Sequence, residues 1–286
     1  MANLKEIRNR IASVKSTMQI TSAMKMVSAA KLKKAQDAIT AMRPYANKLT
    51  ELLQNLSASL DGDVGAKYTV NREVKKVLIV SITSNRGLCG AFNSNIIKES
   101  VALYHGKYGG KQVDYITIGK KGNDILGKKF TIVSNESGVF DDLTFENVAQ
   151  IAEGLMTKFT EGEYDQIDLV YNRFKNAATQ IVTTEQFLPI VPVKEDANAS
   201  ADYIFEPSKP EIVEQLIPKS LKTQLYKAIR DSFASEHGAR MTAMHKATDN
   251  AGELKDQLTL TYNKARQAAI TGEILEIVGG AEALND

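Results

Sequence analysis

Several kinds of residue and segment are rare or absent in the sequence, and each absence excludes a class of protein. Its 286 residues contain a single cysteine, Cys89, so no disulfide can form within the chain, and a lone thiol is typical of a reducing compartment. No apolar run approaches the roughly 18–20 residues that cross a bilayer. Residues 1–6 lack the apolar stretch of a secretory signal. With 43% hydrophobic and 24% charged residues, the composition is that of a folded soluble protein, and we expect a cytoplasmic address.

Glycine and proline are scarce near the N-terminus. Residues 1–61 contain no glycine and one proline, Pro44. Apolar residues recur there every three or four positions, which predicts one helix of roughly 80 Å with a kink near Pro44. Such a helix is too long for a compact domain to enclose, so it needs a partner helix. The stripe comprises Leu4, Ile7, Ile11, Val14 and Met18, then, after a phase shift, Ile20, Met24 and Val27, and further on Ala35, Ala38, Met42, Leu49, Leu52, Leu53 and Leu56.

The C-terminal stretch has the pattern expected of that partner helix. Residues 219–286 contain no proline, and part of the stretch shows the strict three–four alternation of a coiled coil. Small residues in this seam let two helices approach closely and keep the pair thin, at a cost in buried area. We therefore predict a long antiparallel coiled coil between residues 1–60 and 208–286. The predicted seam is Met244, Ala247, Ala251, Leu254, Leu258, Thr261, Ala265 and Ala268.

Residues 68–200 have a different organisation, in which short apolar runs alternate with helical segments. This alternation predicts a mainly parallel sheet covered on both faces, and therefore an inserted Rossmann-like α/β domain. The last two strands are close enough in sequence to form a hairpin, which would make the sheet mixed. Residues 194–210 are polar and acidic and predict a connector. Strands are predicted at 77–82, 113–118, 130–133, 167–172 and 179–188, and helices at 93–105, 119–127 and 145–161.

The charge is distributed unevenly. The net charge of the chain is +2, but residues 1–60 carry ten Lys and Arg against three Asp and Glu. Residues 208–286 carry ten basic and eleven acidic side chains. A basic first helix favours an acidic partner, which could be nucleic acid, anionic lipid or an acidic protein surface. A solvated basic face without a partner would give the same composition.

No set of residues predicts an active site, a metal site or a cofactor site. The glycine loop at 84–91 lies between a predicted strand and helix but matches neither phosphate-binding fingerprint, so a structural turn is favoured over an anion site. His237 and His245 are eight residues apart, too far along a helix to share a metal, and surface positions are favoured for both. Cys89 has no histidine nearby in sequence to activate it.

Three long stretches of the chain resemble the gamma subunit of the F-type ATP synthase, the central rotary stalk. They occur in the family's order and spacing, and the C-terminal block is the most specific of them. The first is Ile20-Thr21-Ser22-Ala23-Met24-Lys25-Met26-Val27, the second is Thr83-Ser84-Asn85-Arg86-Gly87-Leu88-Cys89-Gly90, and the third is Tyr262-Asn263-Lys264-Ala265-Arg266-Gln267-Ala268-Ala269-Ile270-Thr271.

The resemblance implies a non-catalytic subunit of a proton-translocating enzyme, peripheral to the cytoplasmic face of the inner membrane. The coiled coil would enter a ring of alternating alpha and beta subunits, and the inserted domain would contact the epsilon subunit and the membrane rotor ring. Neither a cofactor nor direct nucleotide binding is implied. The resemblance places partner contacts at Met24, Arg240, Gln267, Thr271 and Glu273. Basic side chains that could meet acidic loops of the beta subunits, or simply be solvated, are Arg8, Arg10, Lys25, Lys31, Lys33 and Lys34.

The chain departs from the family pattern at a few positions. Asn85 stands where the family usually has aspartate, and Gly272 and Gly279 are expected to weaken the last helix by about 1 kcal/mol each. The cysteine pair of redox-regulated plastid members is absent, so we expect no dithiol control. Two alternatives remain open from the residues, namely a basic coiled-coil nucleic-acid-binding protein and an enzyme on the α/β domain.

Overall fold

The computed structural model describes residues 4–57, 66–70, 72–190 and 209–282. The predicted connector lies outside these ranges except for its last two residues. The chain divides into two compact units, of which the first comprises residues 1–28 and 241–286 and the second residues 29–240. The helices are α1 (Leu4–Ser57), α2 (Ala66–Thr69), α3 (Phe92–His105), α4 (Lys120–Leu126), α5 (Phe145–Thr160) and α6 (Lys209–Glu282), and the strands are β1 (Lys76–Ile82), β2 (Gln112–Ile118), β3 (Ile132–Asn135), β4 (Gln166–Phe174) and β5 (Gln180–Leu188).

The first unit is a pair of antiparallel helical segments. Arg8 near the start of α1 donates a hydrogen bond from Nη2 to the Tyr262 hydroxyl at 2.7 Å. Further along α1, the hydroxyls of Thr21 and Thr248 are 2.8 Å apart. The residue number of the contact on α6 therefore falls as the residue number on α1 rises. The two segments run in opposite directions. This confirms the predicted antiparallel pairing for the part of each helix that belongs to this unit.

The predicted phase shift in α1 is wrong. The three–four spacing of shielded side chains continues past Met18 through Thr21, Lys25 and Ser28, and Thr21 and Ser28 are buried. Ile20 and Val27, which the sequence placed on the stripe, are 60% and 58% exposed. Polar residues can occupy the seam because their hydroxyls find hydrogen-bond partners there, as Thr21 does. The apolar side chains are therefore left on the surface of the pair.

The seam on α6 is a heptad series, but three of its eight predicted members are exposed, and the shielded residue is in each case the next one along. Leu254 is 46% exposed, and the exposed side chains also include Thr261 and Ala268. Tyr262, which is hydrogen-bonded to Arg8, takes the place predicted for Thr261, and Thr248, which is hydrogen-bonded to Thr21, is shielded beside Ala247. From residue 244 onwards, the shielded residues are Met244, Ala247, Thr248, Ala251, Gly252, Lys255, Leu258, Tyr262, Ala265, Ala269 and Gly272. Small residues thus remain part of the seam, as predicted.

The second unit contains a mixed five-stranded sheet in the order β3-β2-β1-β4-β5. Strand β1 pairs in parallel with β2 and β4, and β3 pairs in parallel with β2. Strand β5 is antiparallel to β4, which confirms the predicted hairpin and the mixed sheet. The parallel order with helical crossovers is that of a Rossmann-like domain. The third strand lies two residues beyond its predicted start, at Ile132–Asn135.

Both faces of this sheet are covered, as the apolar runs predicted. Residues of α3 and α4 pack on one face, with Ile96 and Leu126 among the buried side chains. The other face is covered by α5 together with the part of α6 that begins at Ile217 and ends at Ile229. Leu225 of α6 is fully buried there. Residues 217–229 of α6 therefore belong to the core of the sheet domain.

Candidate functional site

The predicted contact residues are mostly accessible. In the first unit, Met24 and Lys25 are half-buried, and the exposed candidates are Arg8, Arg10, Gln267, Thr271 and Glu273. In the second unit, Lys31, Lys33 and Lys34 are exposed, whereas Arg240 is buried. Accessibility is the condition that a contact residue must meet. Contact with a partner stays a prediction for each of them.

Two of the basic candidates in the first unit also have neighbours within that unit. The guanidinium of Arg8 lies over the Tyr262 ring at 5.6 Å, and its hydrogen bond to the Tyr262 hydroxyl raises the pKa of Arg8. Lys25 Nζ lies 3.4 Å from Nδ1 of His245. The two cations therefore cross the seam of the helix pair and are not plainly solvated lysine and arginine side chains. Both remain accessible enough to meet an acidic surface.

The last described turns of α6 carry an exposed apolar surface. Its five large side chains are between 45% and 70% exposed. Exposed clusters of apolar side chains mark interaction sites in soluble proteins, because water-exposed apolar area favours burial against a partner. We refer to this surface as the apolar end of α6. It comprises Ile270, Ile274, Leu275, Ile277 and Val278.

The glycine loop at residues 84–91 connects β1 to α3 in the second unit. Gly90 has φ 59° and Leu88 has φ 62°, a left-handed conformation that costs a residue with a Cβ about 1–2 kcal/mol. The Leu88 side chain is 65% exposed, so its own packing does not offset this cost. Strained residues persist only where the surrounding structure over-determines them. The loop therefore requires strong contacts elsewhere.

Side chains on both flanks of the loop supply some of these contacts. Ser84 Oγ donates to the carbonyl of Arg86 at 2.7 Å, and Asn93 Oδ1 accepts from the Ser84 amide at 2.9 Å. Asn93 Nδ2 also lies 3.2 Å from the Cys89 sulfur. Asn85 donates to the carbonyl of Ser137 at 2.9 Å. An asparagine at position 85 can donate this bond, which an ionised aspartate cannot. These contacts support the structural interpretation of the loop.

Arg240 supplies the remaining contacts of the loop from α6. Its Nη2 donates to the carbonyls of Arg86 at 3.0 Å and Gly87 at 3.3 Å, and its Nε donates to Gly87 at 3.4 Å. Its Nη1 forms an ion pair with Glu236 Oε1 at 2.6 Å. Sequence reasoning missed this arrangement because more than 150 residues separate the loop from Arg240. The spacing of Glu236 and Arg240, one helical turn, was the signal that could have indicated an ion pair.

The surface position expected for His237 is wrong. The residue is 5% exposed, and its ring packs edge-on against Phe233 with the centroids 4.5 Å apart. Its Nδ1 lies 3.4 Å from Arg240 Nη1, and its Nε2 has no hydrogen-bond partner among the described residues. Burial, together with the nearby charges of Arg240 and Lys31, lowers the pKa of His237 to about 3. The imidazole is therefore neutral and can accept a hydrogen bond from Arg240.

The buried neutral imidazole predicts a loss of stability in mild acid. In the unfolded chain His237 has a pKa near 6.5, whereas in the folded chain the pKa is about 3. The unfolded state therefore binds the proton first, and this contribution to stability is lost as the pH falls from 6.5 towards 3. We expect the wild type to lose about 1 kcal/mol more than His237→Asn between pH 7 and pH 5.5. Urea unfolding at the two pH values measures the difference.

The comparison with His237→Asn is needed because Glu236 changes the stability of the folded chain with pH in the opposite direction. Burial raises the pKa of Glu236, so its contribution favours the folded state at lower pH. Both proteins contain Glu236, and the difference between their pH dependences isolates the histidine. Equal pH dependence of the two proteins would show that the pKa of His237 is the same in the folded and unfolded chains, which would contradict its burial.

No group of three or more His, Cys, Asp or Glu in the described ranges is arranged to hold a metal ion. No helix in them is long and apolar enough to cross a bilayer. Burial raises the pKa of the Cys89 thiol and so disfavours the reactive thiolate. What the structure does offer is a helix pair with an exposed apolar end, together with a Rossmann-like sheet. This combination defines a protein with long paired terminal helices and an inserted α/β domain.

Comparisons with known proteins agree with this class. The family model described as ATP synthase matches residues 3–284. The ATP synthase gamma chain of Flavobacterium psychrophilum is 76% identical over 285 residues, covering 99% of each chain. That of Cytophaga hutchinsonii is 56% identical over 296 aligned positions and covers 100% of each chain. The chain therefore belongs to the ATP synthase gamma-chain family, the central-stalk subunits of that enzyme.

Solved structures of stalk subunits share the fold. A chain in the central stalk and c-ring of the Tetrahymena thermophila mitochondrial ATP synthase is 28% identical, with a TM-score of 0.59 over 80% of this chain and 99% of that one. A chain of the Euglena gracilis mitochondrial enzyme is 23% identical, with a TM-score of 0.69 over 98% of this chain and 94% of that one. The second likeness shows the fold alone.

Proposed function

We propose that this chain is the rotor shaft of a proton-translocating F-type ATP synthase and does no chemistry itself. It couples rotation of the membrane ring to the conformational cycle of the catalytic beta subunits. The observation that carries the proposal is the first unit, a thin antiparallel helix pair whose α6 segment ends in exposed apolar side chains. A surface of this kind suits a sleeve that must let the shaft turn, because apolar contacts have no preferred direction.

The mechanism follows from the difference in symmetry between shaft and ring. Two antiparallel helices have no threefold axis, so a shaft of this kind presents a different surface to each of three equivalent sites around it. Each catalytic site is then biased towards a different conformation, and rotation exchanges the biases in turn. Such a shaft can shift the conformational equilibrium of a catalytic site only by the difference between its contact free energies with the two conformations of that site.

The contact residues are proposed on the same basis. Met24, Gln267, Thr271 and Glu273 would touch the alpha and beta subunits, since all four are at least partly exposed. Basic side chains would meet acidic loops of the beta subunits, where charge pairs give direction and specificity to the contact. These are Arg8, Arg10 and Lys25 in the first unit and Lys31, Lys33 and Lys34 in the second.

The division of the chain is proposed as a shaft made of residues 1–60 and 208–286 and an inserted domain of residues 68–200. The inserted domain would contact the epsilon subunit and the membrane rotor ring. The subunit would then be peripheral to the cytoplasmic face of the inner membrane. We propose no nucleotide site and no nucleic-acid contact, and the comparisons give the nucleic-acid alternative no support.

ATP hydrolysis by the assembled head tests the proposal. Alpha and beta subunits from the same source are combined with and without this chain, and turnover is followed to steady state. We expect a stable complex with sustained hydrolysis only when the chain is present. Deletion of residues 266–286 should lower sustained turnover several-fold, because it removes the apolar end of α6 and with it the burial of about five large side chains.

A shorter deletion, of residues 281–286, is the matched control because it leaves the apolar end intact. We expect that protein to behave as the full chain does. The proposal fails if the full chain neither joins the complex nor changes its turnover. It also fails for the apolar end if both deletions have the same effect.

A further inference from the structure

The glycine loop at 84–91 presents two large exposed side chains on a backbone that does not hold its shape by itself. Arg86 is exposed, and Leu88 is 65% exposed while its φ is 62°. A flexible loop would relax to an unstrained conformation, and an exposed leucine offers no packing to prevent that. The conformation therefore depends on side chains that bind the loop, which are Ser84 and Asn93 at its flanks and Arg240 from outside it.

Arg240 is suited to this task because each of its three guanidinium nitrogens is engaged within the second unit. Nη2 and Nε reach the carbonyls of Arg86 and Gly87, and Nη1 reaches Glu236 and His237. The planar fork of arginine donates in several fixed directions at once, which a lysine ammonium on a flexible stem cannot do. The side chain is 7% exposed, so little of it is accessible to a partner.

The turn of α6 that carries this arginine is itself fixed to the sheet. Ser235 Oγ donates to the carbonyl of Asn172 in β4 at 3.0 Å, and both residues are buried. Glu236 follows Ser235 directly and holds the guanidinium of Arg240 at 2.6 Å. One helical turn thus connects β4 to the loop after β1. Movement of α6 at this point would be transmitted to the loop.

We infer that Arg240 is a positioning residue that acts through the glycine loop and does not itself contact the catalytic head. It holds the loop carbonyls so that Arg86 and Leu88 are presented in a fixed geometry, and Glu236 holds the guanidinium in place. The inference rests on the proposed function as far as the loop's partner is concerned. The positioning itself concerns this chain alone and can be tested on it.

Cys89 reports directly on opening of the loop, because it lies in the loop and is only 2% exposed. It is also the only cysteine of the sequence, so all labelling occurs there. The full chain is treated with a thiol reagent under native conditions, and the rate of labelling is measured. Arg240→Lys keeps the charge but not the fork, and we expect labelling to be at least about tenfold faster through local opening of the loop. The matched control is Arg230→Lys, since Arg230 binds Tyr226 and the carbonyl of Leu143.

A second variant, Glu236→Gln, keeps the test decisive if Arg240→Lys does not fold. It removes the charge that orients the guanidinium, and labelling should again be several-fold faster. Circular dichroism and thermal unfolding establish that each variant is folded at the temperature of labelling. Labelling of folded Arg240→Lys and Glu236→Gln at the wild-type rate would overturn the inference. So would equal acceleration in Arg230→Lys, because the effect would then be general destabilisation.

The assembled complex supplies the functional readout. With Arg240→Lys in place of the wild type, we expect kcat for ATP hydrolysis to fall several-fold while KM for ATP is unchanged, because the loop matches no phosphate-binding fingerprint. Unchanged kcat together with fast labelling would show that Arg240 positions the loop but that the loop has no part in coupling. That result would overturn the functional part of the inference. If the wild-type chain fails to assemble, the proposed function fails, and the labelling rates still decide the positioning role.

Discussion

Replacing Gly119 by alanine is expected to destabilise the sheet domain by about 4 kcal/mol or more. Gly119 has φ 118°, which residues with a Cβ rarely adopt. A Cβ at this position would lie 2.3 Å from the carbonyl oxygen of Thr83 and 2.7 Å from its Oγ1. Thr83 cannot retreat easily, because its amide donates to Ile118 and its hydroxyl accepts from the amide of Gly122. Both the backbone conformation and the close approach therefore require glycine.

Gly154 provides the matched control for this substitution. It lies on the exposed side of α5, and no atom lies within 4 Å of the position that a Cβ would take. Gly154→Ala should therefore stabilise the protein by about 0.5–1 kcal/mol, because alanine loses less backbone freedom in a helix. Chemical unfolding followed by circular dichroism measures both variants. Similar stabilities for the two variants would contradict the close approach of Gly119 to Thr83.

Removal of the Asp168 carboxylate should cost about 3–5 kcal/mol of folding free energy. Asp168 in β4 is fully buried, and it accepts hydrogen bonds from Tyr108, from Lys107 Nζ at 3.0 Å and from Gln166 Nε2 at 2.9 Å. Burial and the carboxylate hold the pKa of Tyr108 far above its usual value, so the phenol remains a donor. In Asp168→Ala, the buried hydroxyl of Tyr108 loses its acceptor.

Loss of the carboxylate costs less at Lys107, because this side chain is half-exposed and water can solvate its ammonium group. Asp168→Asn, which keeps one acceptor oxygen, should lie between the wild type and Asp168→Ala. The surface control is Asp124→Ala, which removes an exposed pair with Lys121 at 3.5 Å and should change stability by less than about 0.5 kcal/mol. Urea unfolding of the three variants is the measurement. Equal losses in Asp168→Ala and Asp124→Ala would show that the buried network contributes nothing.

The sequence by itself determined the elements and their class. Apolar spacing predicted both long helices, and the alternation of apolar runs with helical segments predicted the mixed sheet and its hairpin to within two residues at each strand start. These features depend on neighbours a few residues apart, so a single sequence contains the information. The motif stretches, the longest of which runs from Tyr262 to Thr271, predicted the family, which the comparisons confirm.

Tertiary structure decided which side chains face inwards and which are paired. Ile20 and Val27 looked like seam residues because they are apolar, but the seam is occupied by Thr21 and Ser28, and hydroxyl pairing across to Thr248 makes a polar seam possible. Only the partner helix can supply that hydroxyl. Spacing along one chain therefore cannot distinguish an outward apolar stripe from an inward one.

The same reason applies to Arg240 and His237. Their identities allowed a surface position, and only the fold brings the loop carbonyls at residues 86 and 87 to the guanidinium and buries the imidazole beside it. A charged group becomes a structural group when acceptors from distant parts of the chain surround it, because burial without them would cost several kcal/mol. The sequence determined that an arginine stands at position 240, and the tertiary structure decided that its donors are used within the chain.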